Sequence, residues 1–139
     1  SYPLAYLYEM VFQYGKELLF SPKGKEAFDY LVNVRGCDTE KLQSTEWIYW
    51  PEDADIRKYL KSKLPKEKHH EAASIKLNGN GGDLFRAALP YRDRFGKISG
   101  FAKRATVKEG VADAEGKVHR WSYTSGLKKE DPFNIYRCR

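Results

Sequence analysis

RAALPYRDRFGKISGFAKR, residues 86–104, reads as a β-hairpin and decides the fold class. Apolar residues lead into Pro90, and Asp93-Arg94-Phe95-Gly96 makes the turn. Asp suits the first turn position because its carboxylate accepts backbone N–H bonds, and Gly suits the fourth, where φ is often positive. The return strand runs from Lys97 to Arg104, with Ile98 on one face and Phe101 on the other. Gly100 therefore marks a bulge or a close backbone approach. Arg86, Arg92, Arg94, Lys97, Lys103 and Arg104 crowd this hairpin, opposed by Asp93 alone. Such a run is most often a solvated, charged hairpin. Its sharper meaning is a surface for backbone phosphates.

Downstream the pattern repeats. Ala105-Thr106-Val107 is expected to run out, Asp113-Ala114-Glu115-Gly116 to turn, and Val118 to Thr124 to return as one strand. Upstream the period changes to that of a helix. Leu4, Leu7, Tyr8, Val11, Tyr14 and Leu18 predict an amphipathic helix over 3–19. Ser21-Pro22 restarts the chain as N-cap and first helical residue. The second helix is expected to bury Ala27, Tyr30, Leu31 and Val34 and to end at Arg35-Gly36, a left-handed glycine cap. Asp38 caps a short turn through Leu42, and Trp47 to Trp50 is a brief extended run stopped by Pro51. A third helix is expected over 53–63, with Ile56, Leu60 and Leu64 inward and Arg57, Lys58, Lys61 and Lys63 on a solvated face. Pro65 opens a short helix through Ala73. Asn78-Gly79-Asn80-Gly81-Gly82 is loop, and its G-x-G lacks the strand-before, helix-after setting of a nucleotide fold.

Helices first and antiparallel strands after define an α+β class. At 139 residues the chain is expected to be one domain. Residues 1–76 are mainly helical, 83–124 form antiparallel hairpins, and 125–139 are a tail. The apolar share of 41% and the aromatic share of 14% argue against disorder. No apolar run reaches membrane-spanning length. Cys37 and Cys138 lie far apart without metal-ligand spacing. They suit a reducing, cytoplasmic setting and leave a single disulfide open. His69-His70 point about 100° apart on a helix and make a poor chelate.

The net charge of +6 is unevenly spread. Residues 1–83 hold 12 Lys/Arg against 13 Asp/Glu, whereas 84–139 hold 13 against 6. Eight aromatics share the basic part, among them Trp121 and Tyr123, which are expected to be the more exposed. Cations interleaved with rings suit single-stranded nucleic acid, which offers phosphates and stackable bases. Most of these rings are core residues at strand spacing in the plainer reading. No Ser/His/Asp or Cys/His set, no H-E-x-x-H and no G-x-x-x-x-G-K-[ST] occurs.

Three stretches carry a family resemblance. Ala27-Phe28-Asp29-Tyr30-Leu31 through Arg35-Gly36 is similar to an A-x-x-Y-L…R-G element. Pro90 to Gly96, then Gly100-Phe101 and Arg104, is similar to P-x-x-D-x-x-G…G-F-x-x-R. RWSYTSGLKK, residues 120–129, is similar to a later K-Y-x-N-S stretch, with Thr124-Ser125-Gly126 where many members have Asn-Ser-Pro. In this order they resemble the N-terminal subdomain of the catalytic core of bacterial DnaG-type DNA primases, in the form found in mobile elements and phages. The likeness covers nearly the whole chain.

The resemblance implies a fragment that binds single-stranded DNA template and RNA–DNA hybrid during primer synthesis. It implies nucleic-acid contacts at Arg86, Arg92, Arg104, Arg120, Trp121, Thr124, Ser125, Lys128 and Lys129. Neither the zinc-binding module nor the Toprim subdomain of such primases lies within these residues, and the tail is expected to lead toward the latter. Zinc is expected in the first. Mg or Mn is expected on the Toprim carboxylates that neutralise phosphate during phosphoryl transfer. The 139 residues alone are therefore expected to be non-catalytic and to hold no cofactor. A replicative helicase is a partner implied for the full-length protein. Two other classes stay open: an independent single-stranded nucleic-acid-binding module, and a protein-interaction domain whose basic half meets an acidic partner.

Overall fold

A computed structural model describes residues 3–77 and 84–124. It is α+β, with helices in the N-terminal half and antiparallel strands after them. Helix α1, Leu4–Leu19, starts at Pro3 and buries Leu7, Tyr8, Val11, Phe12, Gly15 and Leu19. The buried stripe is rotated from the expected one: Leu4 is exposed, and Tyr14 and Leu18 are only partly covered. Gly15 explains the rotation. A Cβ there would stand 2.5 Å from the Tyr49 carbonyl, so α1 lies against the sheet through this glycine.

Ser21 and Pro22 open a 3₁₀ turn, Pro22–Gly24, that feeds α2, Lys25–Asp29. The chain then widens into a π turn, Tyr30–Val34, and leaves through Gly36 at φ +73°. A π turn adds a residue to the circuit, which carries Val34 out to the surface while Ala27, Tyr30 and Leu31 stay buried. That corrects the expected burial of Val34. After a 3₁₀ turn at Leu42–Ser44, β1, Ile48–Tyr49, sits at the centre of a fully buried Trp47–Trp50 run. Helix α3 spans Asp53–Lys63, as the periodicity predicts. A 3₁₀ turn, Lys66–Lys68, and α4, His69–Ser74, follow. Arg57 is not on a solvated face. Its guanidinium donates to the carbonyls of Ala72, Ala73 and Ile75 at 2.9–3.0 Å and closes the C-terminal end of α4. The loop at 78–82 lies outside the described residues, as does Cys138.

The decisive hairpin forms as β2, Ala87–Arg92, and β3, Ile98–Arg104. Asp93 Oδ1 accepts the N–H groups of Phe95 and Lys97, and Gly96 has φ +80°. The register slips between Tyr91 and Arg92, where Gly100 and Ile98 are the partners and Ser99 is the extra residue. This bulge brings Ile98 back to the same face as Phe101, and both enter one core. The second hairpin is smaller than expected. Its outgoing strand is β4, Val111–Ala112, rather than residues 105–107, and it pairs only with β5, Val118–His119. Arg120 breaks the returning strand. Beyond it β6, Trp121–Tyr123, joins the main sheet beside β3.

The main sheet is antiparallel, in the order β1-β2-β3-β6. Ile48, Trp50, Ala88, Ile98 and Phe101 pack on one face with α1, α3 and α4. Trp47, Tyr49, Ala87 and Leu89 pack on the other with Leu19, α2 and the π turn. No described helix is long and apolar enough to cross a membrane.

Candidate nucleic-acid interface

Strand register decides where each cation of the hairpin goes. Lys103 faces α3 and is 5% exposed. Its ammonium lies 5.4 Å from the Trp50 ring and reaches the Leu77 carbonyl at 3.4 Å. Burial pulls its pKa down, and Arg86 adds to that. Arg86 is 7% exposed and donates to the Trp50 carbonyl at 2.9 Å, reinforcing the β1–β2 junction. Arg92 grips Glu46 with Nε and Nη2, at 2.8 and 3.2 Å, while Nη1 donates to Glu9 and to the Gly96 carbonyl. Hydrogen bonding to Glu46 raises its pKa. These three cations tie α1, the β1 region and the hairpin turn together.

One residue along, Arg104 faces the opposite layer. It is 6% exposed, and its guanidinium lies 5.5 Å from the Tyr30 ring and 5.9 Å from the Trp121 ring. Nη1 donates to the carbonyls of Ala105 and Arg120 at 3.2 Å, which fastens the break in the strand. Burial lowers its pKa, and the neighbouring charges of Arg35 and Arg120 lower it further. Three guanidinium groups thus share one neighbourhood.

The rings beside them are ordered. Trp47 and Trp121 stack at 6.3 Å with 21° between planes, and Arg35 lies 5.3 Å from the Trp47 ring. Tyr91 and Tyr123 meet at 6.4 Å on the same face. Trp121 and Tyr123 are half-buried, whereas Arg120 is exposed. The Trp47 indole N–H is buried with no hydrogen-bond partner among the described residues. Rings of intermediate exposure next to guanidinium groups present both components that single strands require, flat surfaces and positive charge.

Of the residues expected to touch nucleic acid, Arg104, Arg120 and Trp121 come together here. Arg86 and Arg92 point elsewhere. Thr124 is turned into the sheet, where its hydroxyl accepts the Phe101 N–H at 3.1 Å. Ser125, Lys128 and Lys129 lie outside the described residues. Arg35, Tyr30 and Trp47 join the site without having been expected there. The Y-L…R-G spacing held the signal for Arg35, since a helix ending at Gly36 places it beside the sheet. Among the described residues no three His, Cys, Asp or Glu side chains gather to hold a metal ion.

This order of helices and sheet matches the fold of a primase catalytic core. Over 87% of its length the chain is similar to the RNA polymerase domain of Mycobacterium tuberculosis primase DnaG, in a complex with a double-stranded DNA oligomer bearing a 6-nucleotide overhang. The sequence identity is 22% and the TM-score 0.59. A DnaG catalytic core is similar over 93% of this chain, at 18% identity and TM-score 0.58. The Aquifex aeolicus primase, with its zinc-binding and RNA polymerase domains, is similar over 87%, at 24% and 0.55. The chain spans 37%, 39% and 28% of those three chains. Identity at this level speaks for the fold alone. No protein-family model and no curated protein matches the chain.

Proposed function

We propose that the chain is the template-binding subdomain of a primase of the mobile-element or phage kind, and that it holds single-stranded DNA template and RNA–DNA hybrid during primer synthesis. One observation carries the reading. On a primase-core fold, Arg35, Arg104 and Arg120 gather beside the stacked Trp47 and Trp121. In this reading Arg120 and Arg35 meet phosphates, and Trp121 stacks on a base. Arg104 holds Trp121 and the Arg120 backbone in place. Arg86, Arg92 and Thr124 build the scaffold, and Ser125, Lys128 and Lys129 extend the phosphate track.

Phosphoryl transfer would then depend on a Toprim part holding Mg or Mn on its carboxylates, with zinc in a separate module and a replicative helicase as partner in the cytoplasm. The residues described here position a strand and perform no bond-making. The chain alone is expected to make no primer with either metal. The test is titration of a labelled single-stranded oligonucleotide at low and high salt. Affinity in the ordinary non-specific range, about 10⁻⁴–10⁻⁶ M at physiological salt, is expected to fall steeply as salt rises. Salt-independent affinity, or templated ribonucleotide incorporation by the 139 residues alone, contradicts the reading.

A further inference from the structure

We propose that the α3–α4 layer carries a second phosphate-binding surface, formed by Lys58, Lys61, Lys66 and Lys68, which takes the backbone of a double-helical nucleic acid. The surface is hidden in the charge totals. Residues 57–70 hold six Lys/Arg and a single acid, Glu67, inside a half of the chain that is otherwise acidic. Lys58 and Lys61 are three apart and share one stripe of α3. Lys66 and Lys68 follow in the 3₁₀ turn that leads into α4. Lys63 falls on the other flank, 5.5 Å from the Tyr59 ring, and takes no part.

The layer is braced at both ends. His69 Nε2 donates to the Leu64 carbonyl at 3.1 Å and holds the turn against the end of α3. Arg57 caps the far end of α4. The acids of α3 stand at its opposite end, where Asp55 is engaged by Tyr14 and Lys23. Glu71 is buried. None of the four lysines makes an ion pair with a described residue.

The chemistry favours nucleic acid over protein. Protein interfaces are enriched in aromatic residues and Arg and depleted in Lys. Its four members are all lysines, and no exposed large hydrophobic residue lies within residues 57–70. With no exposed Phe, Tyr or Trp it offers a poor platform for unstacked bases, so a duplex backbone suits it better than a single strand. It also faces away from the Trp121 site, because α3 and α4 cover the opposite face of the sheet. The two surfaces therefore lie on different layers of the molecule.

The experiment is a salt series of a labelled blunt DNA duplex binding to the chain and to a K58Q/K61Q/K66Q/K68Q variant. The slope of log affinity against log salt should drop by about 0.9 per lysine. Binding of a short single strand should be unchanged. A charge-matched K25Q/K41Q/K108Q/K117Q control should keep the duplex slope. Should the fourfold variant melt below the parent, K58Q and K61Q are read singly, each with a loss of about 0.9. An unchanged duplex slope overturns the proposal. So does an equal loss in the control, or a patch variant that loses polyglutamate binding and keeps duplex binding.

Discussion

On the sheet face turned toward α1 and α3, Lys103 and Arg92 are occupied by a carbonyl, carboxylates and rings. On the face turned toward the π turn, Arg104 lies near Arg35 and Arg120 and against the Tyr30 and Trp121 rings, and Arg120 remains outside. Lys103 and Arg104 are neighbouring positions of β3 and have the same charge. Their uses differ because the first face is covered by three helices, so any cation there must find an internal acceptor. The second face is covered by α2 and the π turn, where Arg104 is buried too, and only Trp121 and Tyr123 among its described rings are half-buried. Among the described cations of this part, Arg86, Arg92, Lys103 and Arg104 are thus engaged inside the fold, whereas Arg120 is exposed.

The largest effect should come from breaking the closed face. Phe101 is fully buried between Tyr8 and Trp50. Phe101→Ala should cost about 3–5 kcal/mol of stability in denaturant unfolding. A loss well below that would mean the face is less sealed than described. On the open face, Trp121→Ala should weaken single-strand binding by about 1–3 kcal/mol, with little change in salt slope. A change in slope without loss of affinity would deny it a stacking role.

Buried cations should also report through pH. Lys16 donates to the Thr45 carbonyl at 2.6 Å, and burial lowers its pKa to about 8. Between that value and its ordinary value of 10.5 the unfolded chain keeps a proton that the folded chain has lost. Stability should therefore rise with pH across that window until tyrosine ionisation opposes it. Lys16→Met should flatten the rise, as read from melting temperatures between pH 8 and 10. A rise of equal size in the variant would assign the effect elsewhere.

Much of the fold was legible because local chemistry enforced it. Asp93 and Asp113 each accept the N–H groups two and four residues on, so both turns were visible as Asp followed three later by Gly. Helix α3 was visible because Ile56 and Leu60 repeat at helical spacing and Pro51 and Pro65 bracket it. Other features depended on partners distant in sequence. The π turn that exposes Val34 and the break at Arg120 arise from packing, not propensity. The burial of Arg86, Lys103 and Arg104 needs carbonyls at Trp50, Leu77 and Arg120, which no local pattern reveals. Trp121, Arg104 and Arg120 of the candidate site were singled out through resemblance, and the fold brings them together. Arg35 was visible only as a helix-end residue.

The most direct measurement compares the two cation populations in one assay, the salt dependence of short single-stranded DNA binding. Arg35→Gln with Arg120→Gln should lower the slope by about 0.7 per residue, whereas Lys103→Met should leave it unchanged. Equal reductions in both variants, or a reduction in Lys103→Met alone, would contradict the division of the sheet into a structural and a binding face.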